Sequence, residues 1–192
     1  MPQTLRSFIA AEISPNVRAR AAQLIKELSA TDAKISWVQP QNLHLTLVFL
    51  GDVQMIEVPE LCQAMNRAVA ALPPFDLEVR GAGAFPNAAR PRTIWLGVGR
   101  GEEEMVVLHD ALQDALVDLG YRPEGRRFRP HLTLGRVRQA PRDAGPLIRL
   151  LEERRDYLAD VMSVADITLF SSELTKEGPV YDPLGEAELG GR

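Results

Sequence analysis

The stretch Leu43-His44-Leu45-Thr46-Leu47-Val48-Phe49-Leu50 decides how this chain folds, because its tetrapeptide His44-Leu45-Thr46-Leu47 returns 87 positions later as His131-Leu132-Thr133-Leu134. The apolar and β-branched content of both stretches predicts strands. Successive side chains on a strand point to opposite faces, so His44 and Thr46 share one face while Leu45 and Leu47 share the other. The same holds for His131 and Thr133 against Leu132 and Leu134. Each strand is anchored by its leucines and offers an imidazole and a hydroxyl together on the opposite side.

Working outward, the two strands sit in similar surroundings. Arg6-Ser7-Phe8-Ile9-Ala10 opens a strand 38 residues before His44, and Arg92-Thr93-Ile94-Trp95-Leu96 opens one 39 residues before His131. In the first unit, Ser14-Pro15 reads as a helix cap and first-turn proline. Val17, Ala21, Leu24 and Leu28 then form a buried stripe. Ile35 to Val38 is a short strand, and Gly51-Asp52 closes the strand from Leu43 to Leu50. Pro59 starts a second helix that Pro73-Pro74 ends, since neither proline can continue the ladder. Phe75 to Arg80 reads as a half-buried strand and Gly81 to Pro91 as a loop. In the second unit a strand from Thr93 to Val98 precedes a helix led by Glu102, Glu103 and Glu104, with Leu108, Leu112, Ala115, Leu116 and Leu119 as its stripe and Gly120 as its stop. A strand from His131 to Val137, a helix from about Ala144 to Arg155, a long strand from about Val161 to Phe170 and a short terminal strand near Val180 complete the chain. Two near-equal units ending in the same tetrapeptide predict duplicated lobes facing one another across a shared cleft, with the whole of residues 1–192 as one bilobal domain.

A chain of 192 residues buries well over half of its unfolded surface without a metal or disulfide staple. Its single cysteine, Cys62, lies at helical spacing among Val58, Leu61, Met65 and Val69 and reads as core. No stretch approaches the roughly 18 apolar residues of a membrane span, and the first residues lack the pattern of a secretory leader, so the expected location is cytoplasmic, with no membrane partner. A net charge of −4 argues against a general DNA or RNA coat protein. Between Arg122 and Arg142, however, seven arginines (122, 126, 127, 129, 136, 138 and 142) face one acid, Glu124. One region is built for an anion.

Two histidines on opposite sides of a phosphorus atom can supply a base for water and an acid for a departing ribose oxygen, since an ordinary imidazole titrates at about 6.5. Thr46 and Thr133 can donate to the non-bridging oxygens. Two histidines without a neighbouring acidic or cysteine ligand are too few for a typical zinc site, so neither a metal nor another cofactor is expected. A lone His-x-Thr on a strand is ordinarily a satisfied structural pair. Two identical tetrapeptides holding two of only three histidines in the chain point instead to a site.

The chain resembles the bacterial and archaeal RNA 2',3'-cyclic phosphodiesterases, also called 2'-5' RNA ligases, of the two-histidine phosphoesterase superfamily. The resemblance runs through Arg6 to Ala10, Trp37 to Leu47, Phe49-Leu50-Gly51, Phe85-Pro86, Trp95 to Val98, Phe128 to Leu134, Leu169 to Ser172 and Gly178 to Tyr181. It implies an α+β, bilobal duplicated fold in which two antiparallel β-sheets line a central cleft, with helices on the outer faces. It implies metal-independent hydrolysis of a terminal RNA 2',3'-cyclic phosphate to a 2'-phosphomonoester, and the reverse joining of ends through a 2'-5' bond. His44 would be the proton donor to the leaving 3'-oxygen and His131 the acceptor that activates water. Thr46 and Thr133 would hold the phosphate. The implied partner is an RNA with that terminus, such as a tRNA fragment, and not DNA; the protein is expected to act as a monomer.

Around this centre Arg129 sits two residues before His131, on the same face of an extended backbone, where it either pairs with a phosphate or is solvated surface charge. Arg126, Arg127, Arg136 and Arg138 read individually as solvated charge and together as a guide for an RNA backbone. Phe8, Trp37, Phe49 and Phe128 could each stack on a base but read first as core, His109 reads as a structural member of a helical stripe, and Ser171 and Tyr181 read as packing residues. Two other functions fit the same residues: an RNA-end or nucleotide-binding module without turnover, and a phosphodiesterase acting on 2'-5' oligonucleotides or small cyclic nucleotides.

Overall fold

A computed structural model describes residues 4–123, 125, 127–139, 145–176 and 178–191; Arg126, Arg142, Glu124 and the expected helix start at Ala144 lie outside them. In chain order the elements are β1 (Thr4–Glu12), α1 (Pro15–Leu28), β2 (Lys34–Trp37), β3 (His44–Gln54), α2 (Val58–Val69), β4 (Phe75–Phe85), β5 (Thr93–Val98), α3 (Glu102–Val117), β6 (Leu132–Gln139), α4 (Gly145–Glu153), β7 (Leu158–Val164), β8 (Asp166–Thr175) and β9 (Gly178–Glu188). Short 3-10 turns at Pro40–Asn42 and Met55–Glu57 lead into β3 and α2.

The local signals act as expected at the first helix. Ser14 is its cap, its hydroxyl accepting from the Val17 N–H at 3.2 Å, and Pro15 opens it. The helical stripes Val17/Ala21/Leu24/Leu28, Leu61/Met65/Val69, Leu108/Leu112/Leu116 and Leu147/Leu151 all enter one hydrophobic core, which also takes Leu45, Leu47, Leu132 and Leu134 from the motif strands. A separate small cluster of Phe8, Ala10 and Phe170, with Tyr181 against it, lies apart from that core. Alternation along β1 and β8 puts it on the opposite side of the strands from Ile9, Leu169 and the helices. The sheet therefore has a helix-covered face and a face that the helices leave open.

The strands form one curled antiparallel sheet in the order β7-β4-β5-β6-β3-β1-β8-β9, with β2 also on β6. The two expected sheets are its halves, β3-β1-β8-β9 and β6-β5-β4-β7, joined where β3 meets β6. That joint is a single antiparallel pair, Leu45 with Leu132. Both residues are fully buried. The two strands overlap only at their beginnings, because β2 takes the same edge of β6 beyond it, with Trp37 opposite Gly135 and Lys34 opposite Gln139.

Four expectations at element ends need correction. β3 does not close at Gly51-Asp52 but runs through them to Gln54, with Gly51 at φ +75° and the pairing with β1 continuing to Thr4 opposite Gln54. β4 continues to Phe85, through residues read as loop, because Gly81 adopts φ +81° at a register shift and lets the strand bulge and go on. The long strand from Val161 to Phe170 is two strands: β7 pairs with β4 in one half and β8 with β1 in the other, so the chain crosses between halves at Ala165. The terminal strand is long, with β9 running eleven residues against β8.

Candidate active site

The motif residues meet because of the Leu45–Leu132 pair. Continuing its antiparallel register sets His44 beside Thr133 and Thr46 beside His131, with the two histidines on the diagonal, where side chains stand about 7–8 Å apart. Both leucines point into the core, so all four polar side chains project from the face without helices. Each of the four is half-buried. Among the described residues, neither threonine hydroxyl has a hydrogen-bond partner, leaving both able to donate to a ligand.

The two imidazoles are held alike. Nδ1 of His44 lies 2.8 Å from the Asn42 carbonyl oxygen, and Nδ1 of His131 lies 2.7 Å from that of Arg129. A carbonyl only accepts, so each ring carries its proton on Nδ1 and turns Nε2 outward. Burial holds the His44 pKa below the ordinary imidazole value, against the opposing pull of the Asn42 carbonyl. Burial is also the main cause for His131, whose pKa is lowered further by the Arg136 and Arg129 charges and raised by the Arg129 carbonyl.

Aromatic walls complete the mounting. Phe8 stacks on His44 with ring centroids 4.7 Å apart, and Tyr181 meets the same ring edge-on at 5.3 Å and 88°. Phe85 meets His131 edge-on at 5.0 Å and 89°. Phe85 is backed by Trp95 at 5.0 Å, and the indole lies so close over Gly83 that a β-carbon there would collide with it.

Of the residues singled out in the sequence, His44, His131, Thr46 and Thr133 come together on one face, and the Arg129 guanidinium sits 5.2 Å over the Phe85 ring beside them. Arg136, read individually as solvated charge and with its neighbours as a guide for RNA, is exposed; its charge helps burial to lower the pKa of His131 and works against the burial that raises that of Tyr181. Two assignments change. Tyr181, read as packing, contacts His44. Phe49, read as core, is 61% exposed, 6.4 Å from the Phe8 ring. His109 keeps its structural reading: it is buried and stacks flat on Phe128, centroids 4.1 Å apart. Ser171 is buried too, donating to the Asp182 carbonyl. Among the described residues, no group of three or more His, Cys, Asp or Glu side chains is placed to hold a metal ion.

An open sheet face that presents paired imidazoles, hydroxyl donors and guanidinium groups carries the groups that acid–base chemistry on an anionic ester requires. A family model described as LigT like Phosphoesterase matches the chain twice, at residues 12–95 and 98–181. The chain is 36% identical over 177 residues to an RNA 2',3'-cyclic phosphodiesterase of Methanothermobacter thermautotrophicus, covering 92% of this chain and 95% of that protein. It is 33% identical over 187 residues to one of Thermotoga maritima, covering 97% of each. Among solved structures it is similar to a Thermus thermophilus protein (28% identity, TM-score 0.82, 98% and 100% covered) and, in fold, to E. coli LigT crystallised with 3'-AMP (24% identity, TM-score 0.79, 97% and 99% covered). The chain belongs to the LigT-like phosphoesterase family, and it is a phosphoesterase.

Proposed function

We propose that this enzyme opens the 2',3'-cyclic phosphate at the end of an RNA, leaving a 2'-phosphomonoester, by acid–base catalysis between His44 and His131. The observation that carries the reading is the matched tethering of the two rings. Each imidazole is fixed through Nδ1 to the carbonyl two residues earlier, and the register continued from the Leu45–Leu132 joint sets the two rings on one diagonal of the open face, which supports reading their Nε2 atoms as acting on one phosphorus. Water attacks the phosphorus as His131 Nε2 takes its proton. His44 Nε2–H gives its proton to the departing 3'-oxygen, so that one P–O bond forms as one breaks and the ring opens. Thr46 and Thr133 donate to the non-bridging oxygens, and the guanidiniums of Arg129 and Arg136 balance their charge. No step calls for a metal. With the 5'-hydroxyl of a second RNA attacking the phosphorus in place of water, the same ring opening frees the 3'-hydroxyl and joins the two ends through a 2'-5' bond.

The relatives named RNA 2',3'-cyclic phosphodiesterase support the substrate class, and the double match of the family model supports reading the chain as one unit of two related lobes. No helix among the described residues is long and apolar enough to cross a membrane. We read the enzyme as a cytoplasmic monomer acting on RNA ends such as those of tRNA fragments. The deciding experiment is hydrolysis of nucleoside and oligoribonucleotide 2',3'-cyclic phosphates in the presence of EDTA, with phosphorus NMR of the product. Turnover to the 2'-phosphate supports the proposal. Binding without turnover, or loss of turnover on chelation, overturns it.

A further inference from the structure

We infer that a cavity beside His44 is the subsite for the terminal nucleoside, and that it selects bases presenting adjacent N–H donors, guanine foremost and uracil last. This rests on the proposed role of His44 as donor to the leaving 3'-oxygen. If His44 faces that oxygen, the ribose carrying it lies on the His44 side of the phosphorus. On that side a cavity of about 250 Å³ opens, lined by His44 itself together with Glu12, Gln41, Asn42, Thr168 and Glu186.

The sheet register ties this cavity to the phosphate position. Thr46 is opposite Ala10, Ala10 opposite Thr168, and Thr168 opposite Glu186, so the four form one row across β3, β1, β8 and β9. Neighbouring strands are spaced by about 4.8 Å, which sets Thr168 about 10 Å from the phosphate-holding Thr46. That is the reach of a ribose and its base. Glu12 flanks the row, opposite His44.

Two features say what the cavity takes. Thr168 is only 3% exposed and lines the cavity, and its hydroxyl has no hydrogen-bond partner among the described residues, so it can bond to a ligand seated there. At the mouth, Glu12 and Glu186 bring two exposed carboxylates, and among the described residues no arginine or lysine lines the space. Carboxylates repel a phosphate, so the cavity suits the uncharged part of a nucleotide, and they accept from N–H groups. Guanine offers its N1–H and N2–H₂ side by side to one carboxylate. Uracil offers one N–H between two carbonyl oxygens, which a carboxylate meets with repulsion. The arginines around His131 leave the opposite half to the phosphates.

The test compares guanosine and uridine 2',3'-cyclic phosphates as substrates of the intact enzyme and of Glu186→Ala, Glu12→Ala and Thr168→Val. The expected result is about tenfold higher kcat/KM for the guanosine substrate, carried by KM, as for one well-formed two-point base contact. That ratio should fall towards one in at least one glutamate variant and shrink in Thr168→Val. Turnover of both substrates at equal kcat/KM overturns the inference while the proposed function stands. So does a preference that survives all three substitutions but disappears in Phe49→Ala, which would seat the base on the exposed ring instead. Absence of turnover with either substrate would remove the proposed function and the inference together.

Discussion

Leu45 and Leu132, cross-strand partners in the middle of the sheet, form the whole β3–β6 register and are both sealed into the core. Everything polar about the site depends on this apolar contact, because it sets the start of one motif strand against the start of the other. Replacing Leu132 with alanine should cost about 2–5 kcal/mol of stability. In variants that still fold, kcat should drop although no polar residue has changed. Leu132→Met, which keeps the volume, should cost less than about 1.5 kcal/mol and keep most of the activity. Chemical denaturation alongside steady-state kinetics checks both, and a fully active, equally stable Leu132→Ala would refute the role of the joint.

Removing either imidazole should stop the chemistry. His44→Asn and His131→Asn are each expected to lower kcat by about 100- to 10,000-fold, the usual range for one general acid or base. Substrate binding should change far less. Near-normal turnover in either variant rules out the two-histidine mechanism.

Both rings titrate below the ordinary value of about 6.5, and the sign of the consequence is definite. The proposed mechanism needs one ring protonated and one neutral, a form that predominates between the two pKa values. The pH profile of kcat/KM, which reports the free enzyme, should therefore be a bell with its maximum on the acid side of about pH 6.5. The profile of kcat should lie higher, because a bound phosphate anion favours the imidazolium. A kcat/KM maximum above pH 7.5 would contradict the burial of these rings.

Arg136 lowers the pKa of His131 through its charge, so Arg136→Met should let the His131 titration move up while leaving that of His44 in place. The same variant should raise KM for a cyclic phosphate and weaken the salt dependence of binding. An NMR titration of the ring protons, run with the kinetics, separates these effects.

Thr46→Val and Thr133→Val preserve shape and remove one donor each. About a 100-fold loss of kcat is expected from either, with little change in thermal stability, since neither hydroxyl has a partner among the described residues. Undiminished kcat in both variants would leave the non-bridging oxygens to the arginines alone.

The four motif residues were legible from period-two alternation, and so were the anchoring leucines. The exposure of Phe49 was not, and although Arg136 was read as surface charge its place beside His131 was not, for a common reason. Strict alternation from His44 and His131 would put both on the core face. In β3, however, Ala10 pairs with Thr46 and Ile9 with Val48, which leaves Leu47 as an extra residue. In β6, Trp95 pairs with Thr133 and Ile94 with Gly135, which leaves Leu134 extra. Each bulge reverses the phase one residue after the threonine, so the fifth residue past each histidine turns to the open face. The apolar residues at the bulges give no sign of it in a single sequence. The chain crossing at Ala165 was hidden in a similar way, inside a run of strand-forming residues that looks continuous. Tyr181 belonged to a segment already noted as family-like, but only its place across the sheet from Phe8 and His44 reveals what it touches.

The matched carbonyl tethers carry one more consequence. In the proposed mechanism each ring exchanges protons only through Nε2, so a completed turnover leaves the hydrogen on the wrong imidazole, and the pair must be reset before the next substrate arrives. With both Nε2 atoms on the uncovered side of the sheet, bulk water and buffer can carry out that exchange directly, without a relay through the protein interior.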